Sequence, residues 1–316
     1  MRSSLSGASV AVTGGAGFIG GHLVAALLAA GARVTVIDNL SSGSMDAVRP
    51  FIGNSAYRFV EHDITTPIEV AADAIFNLAC PASPVHYQKD PIGTWRASVI
   101  GTANLAELAA RSGARFLQAS TSEVYGDPLV HPQVESYWGN VNPNGLRACY
   151  DEGKRAAEAL LADMARLGLA EIRVARIFNT YGPGMELDDG RAASNFVLQA
   201  LRGVPLTVFG DGSQTRSLCY VADTVQGLIA LMQSDAGAEP VNIGNPSEIT
   251  MKALAEAIIE LTGSQSELSF LSLPPDDPHI RRPDIARARQ RLGWQPTIGL
   301  EDGLGRMIAD FRARMG

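Results

Sequence analysis

At 316 residues the chain has room for about two domains and a sizeable core. Its 46% hydrophobic and 19% charged residues exclude a disordered chain, and its longest apolar run, near residues 23–32, is about half of what a membrane span needs. A net charge of −7 without a basic patch argues against non-specific nucleic-acid binding, so an anionic ligand must be held by local groups.

Met1-Arg2-Ser3-Ser4 leads into a strand within ten residues, which predicts no signal peptide. Ser9–Thr13 is that strand, a short β-branched run ending in glycines, and Gly17–Gly31 follows as a helix with an apolar face. Arg33–Ile37 is predicted as a second strand closing on Asp38, with Arg58–Val60 and Ala74–Leu78 as the third and fourth. A helix over Thr94–Arg111 precedes a strand over Arg115–Ala119, and a helix over Tyr150–Leu167 precedes a strand over Ile172–Ile177. Alternation of apolar strands with helices predicts a parallel, doubly wound α/β sheet of Rossmann type, covered on both faces.

After about residue 180 the rhythm breaks. Helices are expected near Ser194–Arg202, Ala222–Met232, Met251–Leu261 and Leu300–Arg312, with short strands near Leu206–Phe209 and Val241–Ile243. Residues 1–180 therefore read as a dinucleotide-binding domain. Residues 181–316 read as a smaller C-terminal substrate lobe, some of whose segments return to the main sheet. Cys80, Cys149 and Cys219 show no Cys-x-x-Cys spacing and have no His companions, so free thiols in a reducing, cytoplasmic compartment and no metal site are expected.

Thr13-Gly14-Gly15-Ala16-Gly17-Phe18-Ile19-Gly20 joins the first strand to the first helix and contains Gly15-x-Gly17-x-x-Gly20. Glycines let the backbone turn tightly and approach a pyrophosphate at the helix N-terminus. Asp38 ends the next strand, where a carboxylate accepts the ribose hydroxyls and repels a 2′-phosphate, so the order of elements points to NAD over NADP. Tyr150-Asp151-Glu152-Gly153-Lys154 places Tyr and Lys one turn apart on a single helix face. With three lysines in the chain (Lys89, Lys154 and Lys252) that coincidence is rare. A neighbouring ammonium favours phenolate, a nicotinamide cation nearby would act the same way, and together they would make Tyr150 a general base.

Ser120-Thr121-Ser122-Glu123-Val124-Tyr125-Gly126 closes the Arg115–Ala119 strand at the sheet end where ligands bind. Asn179, Arg191, Arg216, Arg281 and Arg282 are candidates for an anionic substrate, although any one of them alone is more often a solvated surface charge.

Together these residues resemble the extended short-chain dehydrogenase/reductase family, which acts on nucleotide sugars, over about Ser9 to Phe311. The resemblance is carried further by Asn77 to Gln88, Glu135 to Pro143, Cys149 to Arg155, Arg176 to Pro183, Leu187 to Phe196, Gly210 to Val221 and Asp276 to Ile285. It implies that Gly14, Gly17, Phe18, Ile19, Gly20, Asp38 and Asn39 hold NAD, with Asp63 and Ile64 at the adenine and Leu78 and Ala79 beside the dinucleotide. Thr121, Tyr150 and Lys154 would form the catalytic set, Tyr150 and Lys154 also touching the cofactor, and Ser122, Glu123 and Arg281 would join them. Pro81, Tyr87, Asn179, Arg191, Arg216 and Arg281 would bind the UDP-sugar. Asn77, Ser98 and Ile280 depart from the family, which often carries His, Asn and Gln there.

The implied activity is decarboxylation of UDP-glucuronate to UDP-xylose through a 4-keto sugar. The alternatives are a nucleotide-sugar 4,6-dehydratase, a 4-epimerase of the same family, or a non-catalytic NAD-binding protein. Dehydratases place Asp then Glu after the Thr of this strand end, whereas here the order is Thr121-Ser122-Glu123, and serine cannot protonate a leaving hydroxyl. The family also implies a homodimer through a four-helix bundle built from Thr94–Arg111 and Tyr150–Leu167.

Overall fold

The structure is a computed structural model that describes residues 5–272 and 280–316. Met1 to Ser4 lie outside the described residues, as do Asp276 to His279 of the segment singled out above.

Six strands, separated by helices except between the third and fourth, come first: β1 (Ser9–Thr13), β2 (Arg33–Asp38), β3 (Tyr57–Glu61), β4 (Ala74–Asn77), β5 (Arg115–Thr121) and β6 (Ile172–Ile177). With Val241–Ile243 they form one parallel sheet whose order, from one edge, is Val241–Ile243, β6, β5, β4, β1, β2, β3. The order reverses between β1 and β4, which is where a doubly wound sheet opens a crevice. Val10, Val12, Val34, Val36 and Phe76 are buried with Leu23, Val24 and Leu27 of the Phe18–Ala29 helix on one face. Ile37, Ile75, Phe116 and Val174 pack against Leu105 and Leu161 on the other. A third core joins Phe196, Val197, Leu254, Ile258, Met307 and Phe311 of the C-terminal segments.

Val241–Ile243 leaves that C-terminal half to pair with β6, and the Val221–Met232 helix packs on the main sheet. The helix expected over Thr94–Arg111 is three consecutive segments. Asp90 caps Pro91–Arg96, a π-helical turn spans Ala97–Gly101, and Thr102–Ser112 completes it. The wide turn presents Ser98 to the Ala148–Arg166 helix, where Gly153 leaves no room for a Cβ beside it.

A row of polar side chains crosses the centre of the sheet. Thr13, Asn77 and Gln118 are register partners on β1, β4 and β5. Thr13 donates to Asn77 Oδ1 at 2.7 Å, and Asn77 Nδ2 donates to Gln118 Oε1 at 2.8 Å and to Thr102 Oγ1 at 3.1 Å. All four residues are buried, so the network satisfies groups that water cannot reach.

Candidate active site

A cleft of about 1270 Å³ opens at the C-terminal ends of β1, β4, β5 and β6, larger than a pocket for one drug-sized ligand. Its floor is the Gly-rich turn. Gly14 has φ +68°, and a Cβ there would stand 2.7 Å from the Leu78 carbonyl carbon, while a Cβ on Gly20 would collide with the Gly14 carbonyl oxygen. Gly17 caps the Phe18–Ala29 helix without a side chain, which leaves the first-turn N–H groups facing the cleft for a phosphate. These features fit a dinucleotide pyrophosphate. Gly14, Gly17, Phe18, Ile19, Gly20 and Leu78 all line the cleft.

Asp38, Asn39, Asp63, Ile64 and Ala79 lie beyond that wall. Asp38 accepts from the Ala16 and Leu40 amides, each at 2.9 Å, and burial raises its pKa. Its carboxyl oxygens keep lone pairs for further donors. Asn39 donates to Asp63 at 3.1 Å, Ile64 is buried, and the Ala79 amide donates to Thr13 Oγ1 at 3.4 Å.

Thr121 ends β5, and its hydroxyl accepts from the Glu123 amide at 3.2 Å, starting the 3-10 turn Ser122–Tyr125. Tyr150 sits in the first turn of the Ala148–Arg166 helix, hydrogen-bonded to Thr121. Its ring stacks on Tyr87 with centroids 5.2 Å apart and 5° between planes. Lys154 Nζ donates to the Ala119 carbonyl at 2.8 Å and lies 5.8 Å from the Tyr150 ring centroid.

Burial acts against the Tyr150 phenolate. Burial, reinforced by Cys80, holds the Tyr150 hydroxyl above its ordinary value, and burial pulls the Lys154 ammonium below its own. Lys154 alone therefore does not make a phenolate in this structure. Its bond to Ala119 fixes where its charge sits.

Glu123 is the centre of a buried ionic cluster. One oxygen accepts from Arg147 at 2.6 Å and the other from Arg281, which also donates to Ser122 Oγ at 3.3 Å and to the Gly126 carbonyl at 3.1 Å. Burial opposes ionisation, but the Arg281 and Arg147 guanidiniums outweigh it and bring the Glu123 carboxyl down to about 2. Arg147 was not foreseen. It lies 24 positions from Glu123, and no local pattern marks it.

Asp151 shows the opposite behaviour. It is 6% exposed, its Oδ1 meets no hydrogen-bond partner, and burial together with the Glu123 charge pushes it up to about 8, against Arg147 and Arg281. The folded chain thus keeps a proton that the unfolded chain releases above about pH 4. The contribution costs nothing below that pH, costs progressively more as pH rises towards about 8, and is constant above it. Asp151→Asn is expected to gain in Tm on the parent chain from about pH 5 to about pH 8. A Tm difference that does not change over that range would rule out a protonated Asp151.

The remaining residues fall into place unevenly. Tyr87, Asn179, Arg191, Arg216 and Arg281 line the cleft with Ser122. The Arg191 guanidinium fork is turned onto Asp189, while Arg216 donates to the Thr215 carbonyl at 2.9 Å. Pro81 is not on the wall, and its carbonyl accepts from Cys80. Arg282 also lies off it, 3.5 Å from Glu248. All three cysteines are free.

A phosphate-binding glycine turn next to a Thr–Tyr–Lys set on a doubly wound sheet defines a dinucleotide-dependent oxidoreductive site. The description "NAD dependent epimerase/dehydratase family" matches residues 10–244, and the chain belongs to that family. It is 54% identical over 308 residues to "UDP-glucuronic acid decarboxylase 6" of Arabidopsis thaliana, covering 97% of this chain and 90% of that protein. It is 51% identical over 306 residues to "UDP-glucuronic acid decarboxylase 1" of Xenopus tropicalis, covering 97% and 72%. Among solved structures, the UDP-glucuronic acid 4-epimerase of Bacillus cereus in complex with UDP-glucuronic acid and NAD superposes with a TM-score of 0.88 at 26% identity, covering 97% of this chain and 99% of that one. The dTDP-glucose 4,6-dehydratase DesIV of Streptomyces venezuelae, with NAD bound, gives a TM-score of 0.88 at 26% identity, covering 98% of each.

Proposed function

We propose that the chain decarboxylates UDP-glucuronate to UDP-xylose with NAD bound. The observation that carries this reading over dehydration is the state of the two groups after Thr121. Ser122 is neutral and not acidic, and Glu123 is held ionised between Arg147 and Arg281, so neither can protonate a leaving hydroxyl. Loss of CO₂ has no such requirement. The relatives over half identical along nearly the whole chain carry the decarboxylase name.

A bound NAD would supply the acceptor for the C4 hydride and its donor in the return step of the same turnover. Tyr150, oriented by Thr121, would take the C4 hydroxyl proton as the phenolate that Lys154 and a cationic nicotinamide favour, and would give it back on reduction. A ketone at C4 is β to the C6 carboxylate, so departing CO₂ leaves an enolate instead of a bare carbanion. C5 then takes a proton from water, and the 4-keto pentose is reduced to UDP-xylose. Arg281 stands beside Ser122 and Glu123 to meet the charge that develops, while Asn179, Arg191 and Arg216 hold the UDP. The Gly-rich turn, Asp38, Asn39, Asp63 and Ile64 would hold the dinucleotide.

Incubation with UDP-glucuronate and no added NADH is expected to yield UDP-xylose and CO₂ by mass spectrometry. Dehydration of a UDP- or dTDP-hexose without CO₂ would overturn the reading.

In this reading residues 1–180 carry the dinucleotide and residues 181–316 mainly the UDP-sugar. Two copies pair through the helices at Pro91–Ser112 and Ala148–Arg166. Support comes from the apolar side chains left in water on the first of these, with Ile92 63% and Trp95 43% exposed. Trp95→Glu is expected to halve the mass seen by light scattering, and an unchanged mass would remove this face from the interface. Among the described residues no helix is long and apolar enough to cross a membrane.

A further inference from the structure

Residues 183–191 run as a strap along one wall of the cleft and end in the Asp189–Arg191 pair. Besides Asn195 of the Ala192–Arg202 helix into which it runs, which donates to the Gly190 carbonyl at 3.2 Å, three elements fasten it. From the Phe18–Ala29 helix, His22 Nε2 donates to the Pro183 carbonyl at 2.8 Å. From the Pro84–Tyr87 helix, His86 Nε2 lies 3.3 Å from Glu186, and Val85 packs against Gly190 so closely that a Cβ there would stand 2.6 Å from it. From the C-terminal Leu300–Met315 helix, Asp310 accepts from the Gly184 amide at 3.0 Å. Arg314, one helical turn on, donates to the Met185 carbonyl at 2.6 Å and to Asp310 at 2.6 Å.

The C-terminal fastening differs from the other two. It grips two consecutive residues of strap backbone, on the N–H side and on the C=O side, with a charged donor and a charged acceptor that also hold each other. Charge-assisted bonds of this kind are the stronger ones. The helix that supplies them is seated in the C-terminal core through Leu304, Met307, Ile308 and Phe311, so the grip refers the strap to a rigid body.

We propose that Asp310 and Arg314 are positioning residues of the UDP subsite: they fix the strap backbone so that the Asp189–Arg191 pair at its far end is presented to the nucleotide sugar. The proposal rests on the reading of Arg191 as a UDP-binding group. Binding of UDP alone, which needs no turnover, separates the two: a parent chain that binds UDP but forms no UDP-xylose fails the reading and leaves the fastening testable.

Titration calorimetry with UDP is expected to show about tenfold weaker binding for Arg314→Ala, with NAD binding within about twofold of the parent and kcat within about threefold while KM rises. Arg314→Lys, which keeps a cationic donor, should recover UDP binding to within about threefold. The double variant Arg191→Ala/Arg314→Ala should bind UDP no worse than Arg191→Ala, because both act through one contact. Asp310→Asn supplies the same comparison if Arg314→Ala does not fold. Unchanged UDP binding in these variants, additive losses in the double variant, or a parallel loss of NAD binding would each overturn the proposal.

Discussion

Tyr150→Phe is expected to lower kcat at least roughly 100-fold, the scale of a lost general acid–base group. That is ~2.7 kcal/mol of transition-state stabilisation. The change removes one hydroxyl and leaves the ring, so the stack on Tyr87 survives. Thr121 loses a hydrogen-bond partner, worth ~1 kcal/mol, which is small beside the catalytic effect. NAD binding and Tm should therefore stay close to the parent values. Burial favours the protonated phenol in this structure, and Lys154 together with the positive charge of a bound oxidised NAD would favour the phenolate that takes the C4 proton. Activity within about threefold of the parent would show that Tyr150 is not that carrier.

The second large effect is expected at Glu123. Glu123→Gln should lower kcat strongly with KM nearly unchanged, because an interaction made only in the transition state appears in kcat. The carboxylate joins Arg147 to Arg281, and Arg281 reaches Ser122 as well. An amide of the same shape keeps one acceptor and loses the charge, so two guanidiniums share what one carboxylate held. Arg281 is then free to drift from the place where the enolate forms. Arg281→Ala should affect kcat and KM together. A Glu123→Gln variant with kcat almost intact and only a lowered Tm would reduce Glu123 to a structural tie between two arginines.

Strands with apolar β-branched residues were legible from sequence. Ser9–Thr13, Ile172–Ile177, Leu206–Phe209 and Val241–Ile243 were expected with the bounds they have. Their β-branched residues and glycine or helix neighbours leave little choice. The antiparallel pair Thr215–Ser217 and Glu248–Thr250 was not seen, because each holds at most one apolar residue, whereas Val241–Ile243 holds two that are β-branched. The Ala286–Leu292 helix was missed for a related reason. Four of its seven residues are Arg or Gln, and it buries Ala288 and Leu292 alone. The π-turn at Ala97–Gly101 has no local signature either, since it arises where the helix meets Ser98, Cys80 and Gly153.

The candidate site divides in the same way. The glycine turn and Tyr150-Asp151-Glu152-Gly153-Lys154 are local patterns and could be read directly. Arg147, His22, Asp310 and Arg314 reach the cleft only through the tertiary fold. The balance of forces on Tyr150 has the same origin. A sequence shows the charge one turn away, but not the burial that outweighs it.

The row Thr13, Asn77 and Gln118 has a consequence for how the cleft is assembled. β1 delivers the glycine turn, β4 leads into Leu78 and Ala79, and β5 delivers Thr121. Parallel apolar strands alone tolerate slippage poorly but do not forbid it, since a two-residue shift restores the same faces. Here such a shift would pull the hydroxyl, amide and amide out of line and leave them unmatched in a dry interior, at ~1–3 kcal/mol for each orphaned group. Asn77 carries both a donor and an acceptor, so it joins the strand on its left to the strand on its right in one residue. The sheet is keyed at its midpoint, and the phosphate cradle and the catalytic hydroxyl emerge at a fixed relative height each time the chain folds.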